Sequence, residues 1–465
     1  MICHVCGKEN GENHQFCMNC GAKLGKPQED TSVKPAADAD TVLRYAAPAP
    51  APKKKHKSVG KILLIVSLGL AVLAICIAAA TGLFGGNSED TERKSDSGGI
   101  TERKSDSSED AERKSDSDYL CFTALLDNAT VEMHRNGDAP EVSLRYSTDL
   151  KNWQDFYVDQ TVIVLEKAGD KVWFRGDNPN GFANNVETED AFGNKHNNIS
   201  YNEFFLGGYV TAESGNIMAS GNIMSLLCSE DFSKLSSVPS FAFYGLFSHC
   251  GLETAPELPA TELADGCYTS MFASCVSLTE APELPATKLA NWCYESMFEG
   301  CRKLKTAPEL PATELAKMCY MGMFRDCSLL EIAPELPATE LADSCYSGMF
   351  HSCISLKEAP ELPAAKLAEW CYSEMFDYCL ALEAAPELPA TELAEHCYRG
   401  MFDGCASLKS VMVGFDTFED LPDEATYDWL EDVAETGTFT WAGGDSGDER
   451  RSKHTVPKGW SIASN

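Results

Sequence analysis

The pattern of apolar and polar positions changes several times along the chain, and each change marks a predicted element. After Tyr119, short runs rich in β-branched and aromatic residues are separated by turn sequences such as Asn136-Gly137-Asp138. Partial alternation at a period of two is typical of strands with one buried face. We therefore predict a small all-β domain over 119–205, a sandwich or part of one.

The second pattern is a 26-residue repeat. The stretch "APELPATELADGCYTSMFASCVSL" begins at Ala255 and returns five more times with small changes. A fixed period of this size predicts a solenoid, in which neighbouring units share a continuous core. A cap with a degenerate unit is predicted before the repeats (206–252) and a second cap after them (409–465). The six units are 253–278, 279–304, 305–330, 331–356, 357–382 and 383–408, which together span 253–408.

Within each unit the apolar residues stand four apart. Cys267, Met271 and Cys275 form one series, and Tyr268 and Phe272 form a second. We interpret this spacing as the apolar face of a helical segment. The prolines of "PELP" limit the preceding strand, since proline has no N–H for a ladder. One short strand and one helix per turn predict an α/β leucine-rich-repeat solenoid with parallel short strands.

A third pattern, near the N-terminus, is a run of 23 uncharged and mainly apolar residues over 62–84. A helix needs ~20 such residues to cross the hydrocarbon core of a bilayer. Lys53, Lys54, Lys55, Lys57 and Lys61 precede the run, and no Lys or Arg follows it before Arg93. We therefore predict a single-pass membrane protein with a cytoplasmic N-terminus and an extracytoplasmic C-terminus. A Pro/Ala/Lys linker (25–61) is predicted before the helix and a disordered charged spacer (85–118) after it.

The first 24 residues predict a zinc ribbon. Two Cys-x-x-Cys pairs, Cys3/Cys6 and Cys17/Cys20, are each followed by glycine. Four thiolates suit tetrahedral Zn²⁺, and so short a segment needs the metal for its folding energy. The alternatives for the same cysteines are a redox pair and an irregular cysteine-containing tail.

Length, net charge and the absence of catalytic motifs restrict the classes of function that we expect. The chain has 465 residues, which predicts two to four domains, and its net charge is −33. The segment up to Lys61 has a balance of +4, and the remainder has a balance of −37. A surface that acidic does not favour nucleic acid, whose phosphates are bound by Lys and Arg, and it suits cations or basic partners. No phosphate loop, metalloprotease motif or nucleophile elbow is present, so we do not expect an enzyme.

The repeat carries three sets of candidate residues. Its paired cysteines are expected to be buried free thiols, with bridges between neighbouring turns as the alternative. Trp292 and Trp370 occupy a column whose residue changes between units, where they serve as partner contacts or cover the core. The glutamates of "PELP" should stack as an exposed row, which is either a solvated stripe or a binding site for Ca²⁺ or a basic partner. The row consists of Glu257, Glu283, Glu309, Glu335, Glu361 and Glu387.

One family resemblance rests on the repeat sequence itself. The stretch "LPATELADGCYTSMFASCVSL", with Phe272, Cys275 and Leu278 at its end, resembles the BspA-like (Treponema-type) leucine-rich repeats of bacterial surface proteins. The resemblance covers roughly 119–465, and the zinc ribbon and membrane segment are not part of it. It implies a bacterial cell-surface protein that binds another protein or a host macromolecule, as in adhesion. The alternative is a transmembrane sensor or scaffold that couples ectodomain binding to a cytoplasmic partner of the zinc ribbon.

Overall fold

The computed structural model describes residues 118–189, 195–206, 216–441 and 454–464. All of them belong to one compact unit of the chain, Ser107–Asn465. The predicted zinc ribbon (1–24), linker (25–61) and membrane helix (62–84) lie outside the described residues, as does the predicted spacer except for Asp118.

Two β-sheets form the first part of the described structure. The strands of this part and of the start of the repeats are β1 (Leu120–Ala124), β2 (Ala129–Asn136), β3 (Leu144–Ser147), β4 (Gln154–Phe156), β5 (Ile163–Leu165), β6 (Lys171–Gly176), β7 (Ala183–Glu189), β8 (Lys195–Leu206), β9 (Ile217–Ser220), β10 (Ser237–Val238), β11 (Leu252–Thr254) and β12 (Glu262–Leu263). All of them except β10 and β12 belong to the two sheets, one with the order β11-β9-β1-β6-β3-β4 and the other with the order β5-β2-β8-β7. All pairs within these sheets are antiparallel except β11 with β9, which are parallel.

The alternation seen in the sequence determines which faces of these strands are buried. In β2, Ala129, Val131 and Met133 are buried while the residues between them are partly exposed. The rings of Phe122 and Phe204 lie 5.2 Å apart, edge to face. Such aromatic contacts stabilise beyond the apolar area that they bury. The two sheets are thus joined by an aromatic core.

Two short 3-10 helices, Ile223–Leu226 and Phe232–Lys234, follow β9. The side chain of Asn222 caps the first helix, because its Oδ1 accepts a hydrogen bond of 2.8 Å from the amide of Met224. In the same helix, buried Ser225 accepts from the amide of Leu120 and donates to the carbonyl of Phe174. These bonds attach the segment before the repeats to the β domain.

Each repeat contains a run of four-residue turns in place of the predicted helix. We call this run, residues 265–274 in the first unit and the equivalent residues in the others, the turn ribbon. Gly266, Ser270 and Ser274 have φ values of 62°, 53° and 59°, so every fourth residue is in the left-handed region. A right-handed helix cannot contain such residues at regular intervals.

The amides of the turn ribbon alternate between two kinds of hydrogen bond. The amide of Tyr268 donates to the carbonyl of Cys293 in the next unit, at 3.1 Å. The amide of Met271 donates to Tyr268 within the same unit, at 3.2 Å. This alternation continues along every ribbon, so that half of the amides build turns and half join neighbouring units.

The prediction of an α/β leucine-rich-repeat fold is therefore wrong, although the repeat solenoid is confirmed. The protein has a β-solenoid with almost no helix in its described residues. Apolar residues at a spacing of four fit a chain of four-residue turns as well as a helix of 3.6 residues per turn. A partial signal was the glycine or serine at many of the positive-φ positions, such as Gly322, because glycine adopts positive φ at little cost.

The remaining parts of each unit are joined by short parallel pairings. Isolated bridges such as Thr306↔Ile332 and Lys288↔Glu314 connect equivalent residues of successive units. β10 and β12 pair in parallel at the start of the array. A continuous parallel sheet closes its C-terminal end, with the strands β13 (Ala384–Leu388), β14 (Ser410–Val413), β15 (Thr438–Trp441) and β16 (Ser461–Ser464) in that order.

Two columns of stacked rings run through the solenoid core. Each ring lies 5.6–6.1 Å from its equivalent in the next unit. The β domain supplies the first ring of each column, since Phe182 stacks on Phe243 and Phe204 stacks on Phe247. Trp429 stacks on the last tyrosine of the array. The columns consist of Tyr268, Tyr294, Tyr320, Tyr346, Tyr372 and Tyr398, and of Phe272, Phe298, Phe324, Phe350, Phe376 and Phe402.

The predicted membrane localisation also needs correction. Among the residues described, no helix has the length and apolar character needed to cross a bilayer. The segment predicted to do so, 62–84, is outside those residues. The described structure therefore gives no support to a single-pass membrane protein.

Replacement of Gly322 by alanine should lower the free energy of unfolding. In a helix this change would stabilise by ~0.5–1 kcal/mol, but at a φ of 61° an L-residue costs ~1–2 kcal/mol. Ser347→Ala, in the next ribbon at a residue without positive φ, is the matched control. Urea unfolding of the full chain measures both variants. A higher midpoint for Gly322→Ala than for the parent would contradict the ribbon.

Candidate functional site

The exposed side of the turn ribbon changes its charge along the array. The first four ribbons, 265–274, 291–300, 317–326 and 343–352, carry five carboxylates and two cations. The last two ribbons are 369–378 and 395–404. Segment 423–432 follows them in an equivalent position, as shown by the amide of Tyr398, which donates to the carbonyl of Ala425, and the amide of Phe402, which donates to that of Trp429. These three segments carry ten carboxylates and one arginine. We call their surface the acidic face.

A strip of stacked side chains crosses the acidic face. The rings of Trp370 and His396 lie 3.9 Å apart and 20° from parallel. The Arg399 guanidinium carbon lies 5.8 Å from the Trp370 ring centroid and 5.0 Å from that of Tyr427. Tyr427 stacks in turn on His454, at 4.7 Å. We call these five residues the aromatic strip.

Contacts with Glu424 accompany the stacking within the aromatic strip. Glu424 pairs with Arg399 through Oε2, and the same oxygen lies 3.6 Å from Nδ1 of His396. Trp370 is 37% exposed and Tyr427 is 40% exposed, so both present a ring edge or face to solvent. A cation over an indole or phenol ring is attracted by the ring's electrons. The strip is thus ordered before any partner arrives.

The carboxylates of the acidic face affect one another. Burial, and then the neighbouring charges of Asp377 and Glu431, raise the pKa of Asp403 to about 7. In an earlier ribbon, burial followed by the charge of Glu299 raises the pKa of Glu295 to about 7. Burial, reinforced by neighbouring carboxylates, therefore lets both carboxyl groups retain protons near neutral pH.

The two predicted tryptophans have different surroundings. Both occupy the left-handed position of a ribbon, with φ values of 57° for Trp292 and 58° for Trp370. Trp370 belongs to the aromatic strip. Trp292 is half-buried, and its Nε1 donates to Sδ of Met318 at 3.0 Å. Partner binding by either residue stays a prediction.

The six "PELP" glutamates are all exposed, and each is followed by a buried leucine. The neighbouring column mixes signs, and Lys288 pairs with Glu314 at 2.9 Å across two units. Partner binding at this row stays a prediction. No contact among the described residues supports the predicted Ca²⁺. The row consists of Glu257, Glu283, Glu309, Glu335, Glu361 and Glu387.

The repeat cysteines are free and buried. In each unit the second thiol donates to a carbonyl of the preceding unit, as Cys275 does to Phe247 at 3.0 Å. Burial raises the pKa of that thiol to about 12. A thiol in this environment stays protonated and packs as a small apolar side chain. The native structure therefore offers no reactive cysteine within the repeats.

Sequence reasoning missed most of the aromatic strip. It selected Trp370 from a variable column but not His396, Arg399 or Tyr427. In a solenoid of this period, residues 26 apart in sequence occupy equivalent positions in adjacent units, as Trp370 and His396 do. Comparison of equivalent positions would have paired these two residues, whereas the contact with His454 depends on the path of the C-terminal cap.

Residues 2–24 match the family model of the zinc-ribbon domain. The match supports zinc binding at the N-terminus, where the donor set of two Cys-x-x-Cys pairs suits the metal. No curated protein and no solved structure matches the chain. The resemblance to BspA-like repeats receives no support beyond the presence of a solenoid.

A peptide of residues 1–30 should bind one Zn²⁺, because four thiolates complete a tetrahedral shell. Its Cys17→Ser variant should bind much more weakly, since three thiolates remain. Titration against a chromogenic zinc chelator measures both peptides, and Lys8→Ala provides a control outside the predicted ligands. Equal affinity of the Cys17→Ser peptide would contradict the predicted set Cys3, Cys6, Cys17 and Cys20.

The stability of the chain should depend on the protonation of Asp403. A folded-state pKa of about 7, above the 3.8 that is usual for an aspartate, favours the protonated acid. The stabilisation of the folded state that comes from this protonated carboxyl is fully present below pH 4 and is lost as the pH rises through 7. Asp403→Asn should therefore gain stability relative to the parent as the pH is raised from 4 to 8.

Thermal unfolding at several pH values measures the difference between Asp403→Asn and the parent. Glu369→Gln, which removes an exposed carboxylate of the same face, is the control. A difference between Asp403→Asn and the parent that stays constant over this pH range would contradict the raised pKa.

Proposed function

We propose that the protein is an interaction scaffold whose β-solenoid binds a basic segment of another protein through the acidic face. The single observation that carries the proposal is the aromatic strip, a preformed stack of Trp370, His396, Arg399, Tyr427 and His454 among ten carboxylates. The proposal treats the chain as a binding protein rather than an enzyme.

The distribution of charge supports a basic partner. Carboxylates are concentrated on the last three ribbons, and a field of one sign accelerates association with the opposite sign. Burial of Asp403 and repulsion from Asp377 keep one carboxyl protonated near neutral pH. A partner's Lys or Arg would relieve that repulsion. Binding of a cationic ligand therefore offsets the electrostatic repulsion among the carboxylates of the acidic face.

The aromatic strip supports specific contact in addition to attraction. Trp, Tyr and Arg are the residues that most often dominate binding energy at protein interfaces. Here Trp370 and Tyr427 lie on either side of Arg399, whose charge is held by Glu424. Side chains that are already ordered lose little entropy on binding. Adhesion, which the repeat resemblance implies, is the more specific form of this proposal.

The full chain, immobilised through one terminus, can be tested against an array of peptides that differ in their content of Lys and Arg. Basic peptides should bind, and their affinity should fall as salt is raised, since exposed charges are screened. Trp370→Ala should weaken the best peptide by roughly 30-fold, which corresponds to the ~2 kcal/mol typical of an interface anchor.

Tyr157→Ala is the matched control, because Tyr157 is an exposed aromatic residue of the β domain, at 57%. Thermal unfolding confirms that each variant remains folded. The proposal fails if peptide binding is independent of basic content. It also fails if Trp370→Ala binds like the Tyr157→Ala variant.

A further inference from the structure

A second cluster of potential ligands lies on the turn ribbons of the fourth and fifth units. His351 and Asp377 occupy equivalent positions of successive ribbons, 26 residues apart. The amide of Ser352 donates to the carbonyl of Asp377 at 2.7 Å, and that of Phe350 donates to Met375 at 2.9 Å. Glu374 stands three residues before Asp377, at the left-handed position of the same ribbon. The hydrogen bonds between units therefore bring the three side chains together.

The facing atoms of this cluster are close but poorly satisfied. One ligand atom from each of the three side chains lies within 4.8 Å of the other two. Nδ1 of His351 is 3.0 Å from Oδ2 of Asp377. Nevertheless Nδ1 of His351 and Oδ1 of Asp377 are both buried and have no hydrogen-bond partner. Asp377 is only 8% exposed, so water does not easily compensate its carboxylate.

The donor set fits a divalent transition metal. One imidazole and two carboxylates are ligands that suit Zn²⁺ and related ions, whereas an all-oxygen set would favour Ca²⁺ or Mg²⁺. Metal–ligand distances of ~2.1 Å require ligand atoms within roughly 4.2 Å of one another. The half-exposed side chain of Glu374 can supply this small contraction by rotation.

One neighbouring side chain opposes a metal. Nη2 of Arg325 lies 3.7 Å from Oε2 of Glu374, and both side chains are substantially exposed, at 37% and 44%. An exposed pair of this kind contributes little, so a divalent ion can displace the guanidinium. Removal of the arginine should then strengthen metal binding, which distinguishes a metal site from a simple ion-pair network.

We propose that His351, Glu374 and Asp377 form a binding site for a divalent transition-metal ion such as Zn²⁺. The three ligands come from one side, because two adjacent ribbons supply them. Three protein ligands leave a fourth position of a tetrahedral ion for water or for a side chain of a bound partner. The inference concerns the metal alone and does not depend on the proposed function.

Zinc titration of the full chain by calorimetry tests the proposal, in a non-chelating reductant and after the N-terminal zinc ribbon has been saturated. The parent should bind one further ion per chain. Asp377→Asn and His351→Gln should each weaken that binding at least tenfold, since even groups that only support a ligand are worth ~10–100-fold. Arg325→Met should tighten it.

Two controls separate this site from others. Glu395→Gln, at an exposed carboxylate of the following ribbon, should leave the further ion unchanged. Cys17→Ser, which affects the zinc ribbon, should leave it unchanged as well. Circular dichroism confirms the fold of each variant. The proposal is overturned if the parent binds no further ion, or if Asp377→Asn and His351→Gln bind it with the affinity of the parent.

Discussion

The alternating hydrogen bonds of the turn ribbon are the constraint on which the solenoid depends. Each ribbon uses half of its amides to make its own turns and half to bind the carbonyls of the next unit. A ribbon by itself would leave half of these donors unpaired, and unpaired buried amides are costly. The units are therefore stable only together, and their register is the same throughout the array.

This register determines the positions of both the core and the surface. It places each Tyr and Phe ring on its equivalent, so that the aromatic columns continue from the β domain to Trp429. Each fully buried aromatic side chain stabilises by ~1.5–3 kcal/mol, which makes the columns a main source of stability. The same register places Trp370 against His396 and His351 against Asp377. The candidate sites thus result from the stacking of successive units and do not require additional loops.

The sequence allowed the repeat, its period and the buried positions of Cys267, Tyr268, Met271 and Phe272 to be predicted, because apolar spacing reports burial directly. It did not reveal the backbone. A spacing of four is shared by helices and four-residue turns, and the positive-φ column contains Trp292 and Trp370 as well as Gly266. Bulky residues there concealed the turn signal. The sites were missed for a different reason, since contact between equivalent side chains of adjacent units depends on how the units stack, whereas the sequence shows only how the residue type varies within a column.

The buried thiols have a consequence for the lifetime of the protein. In the folded solenoid they are shielded from oxidants, but a chain that opens exposes many of them at once. In the open chain an oxidant converts a thiol to a sulfenic acid, which condenses with a second thiol to a disulfide with loss of water, and the packed columns accommodate neither product. Refolding then competes with thiol oxidation. The lifetime of the folded array is therefore set by the rate at which it unfolds. Each opening that is followed by thiol oxidation therefore inactivates one whole molecule, because an oxidised chain cannot refold.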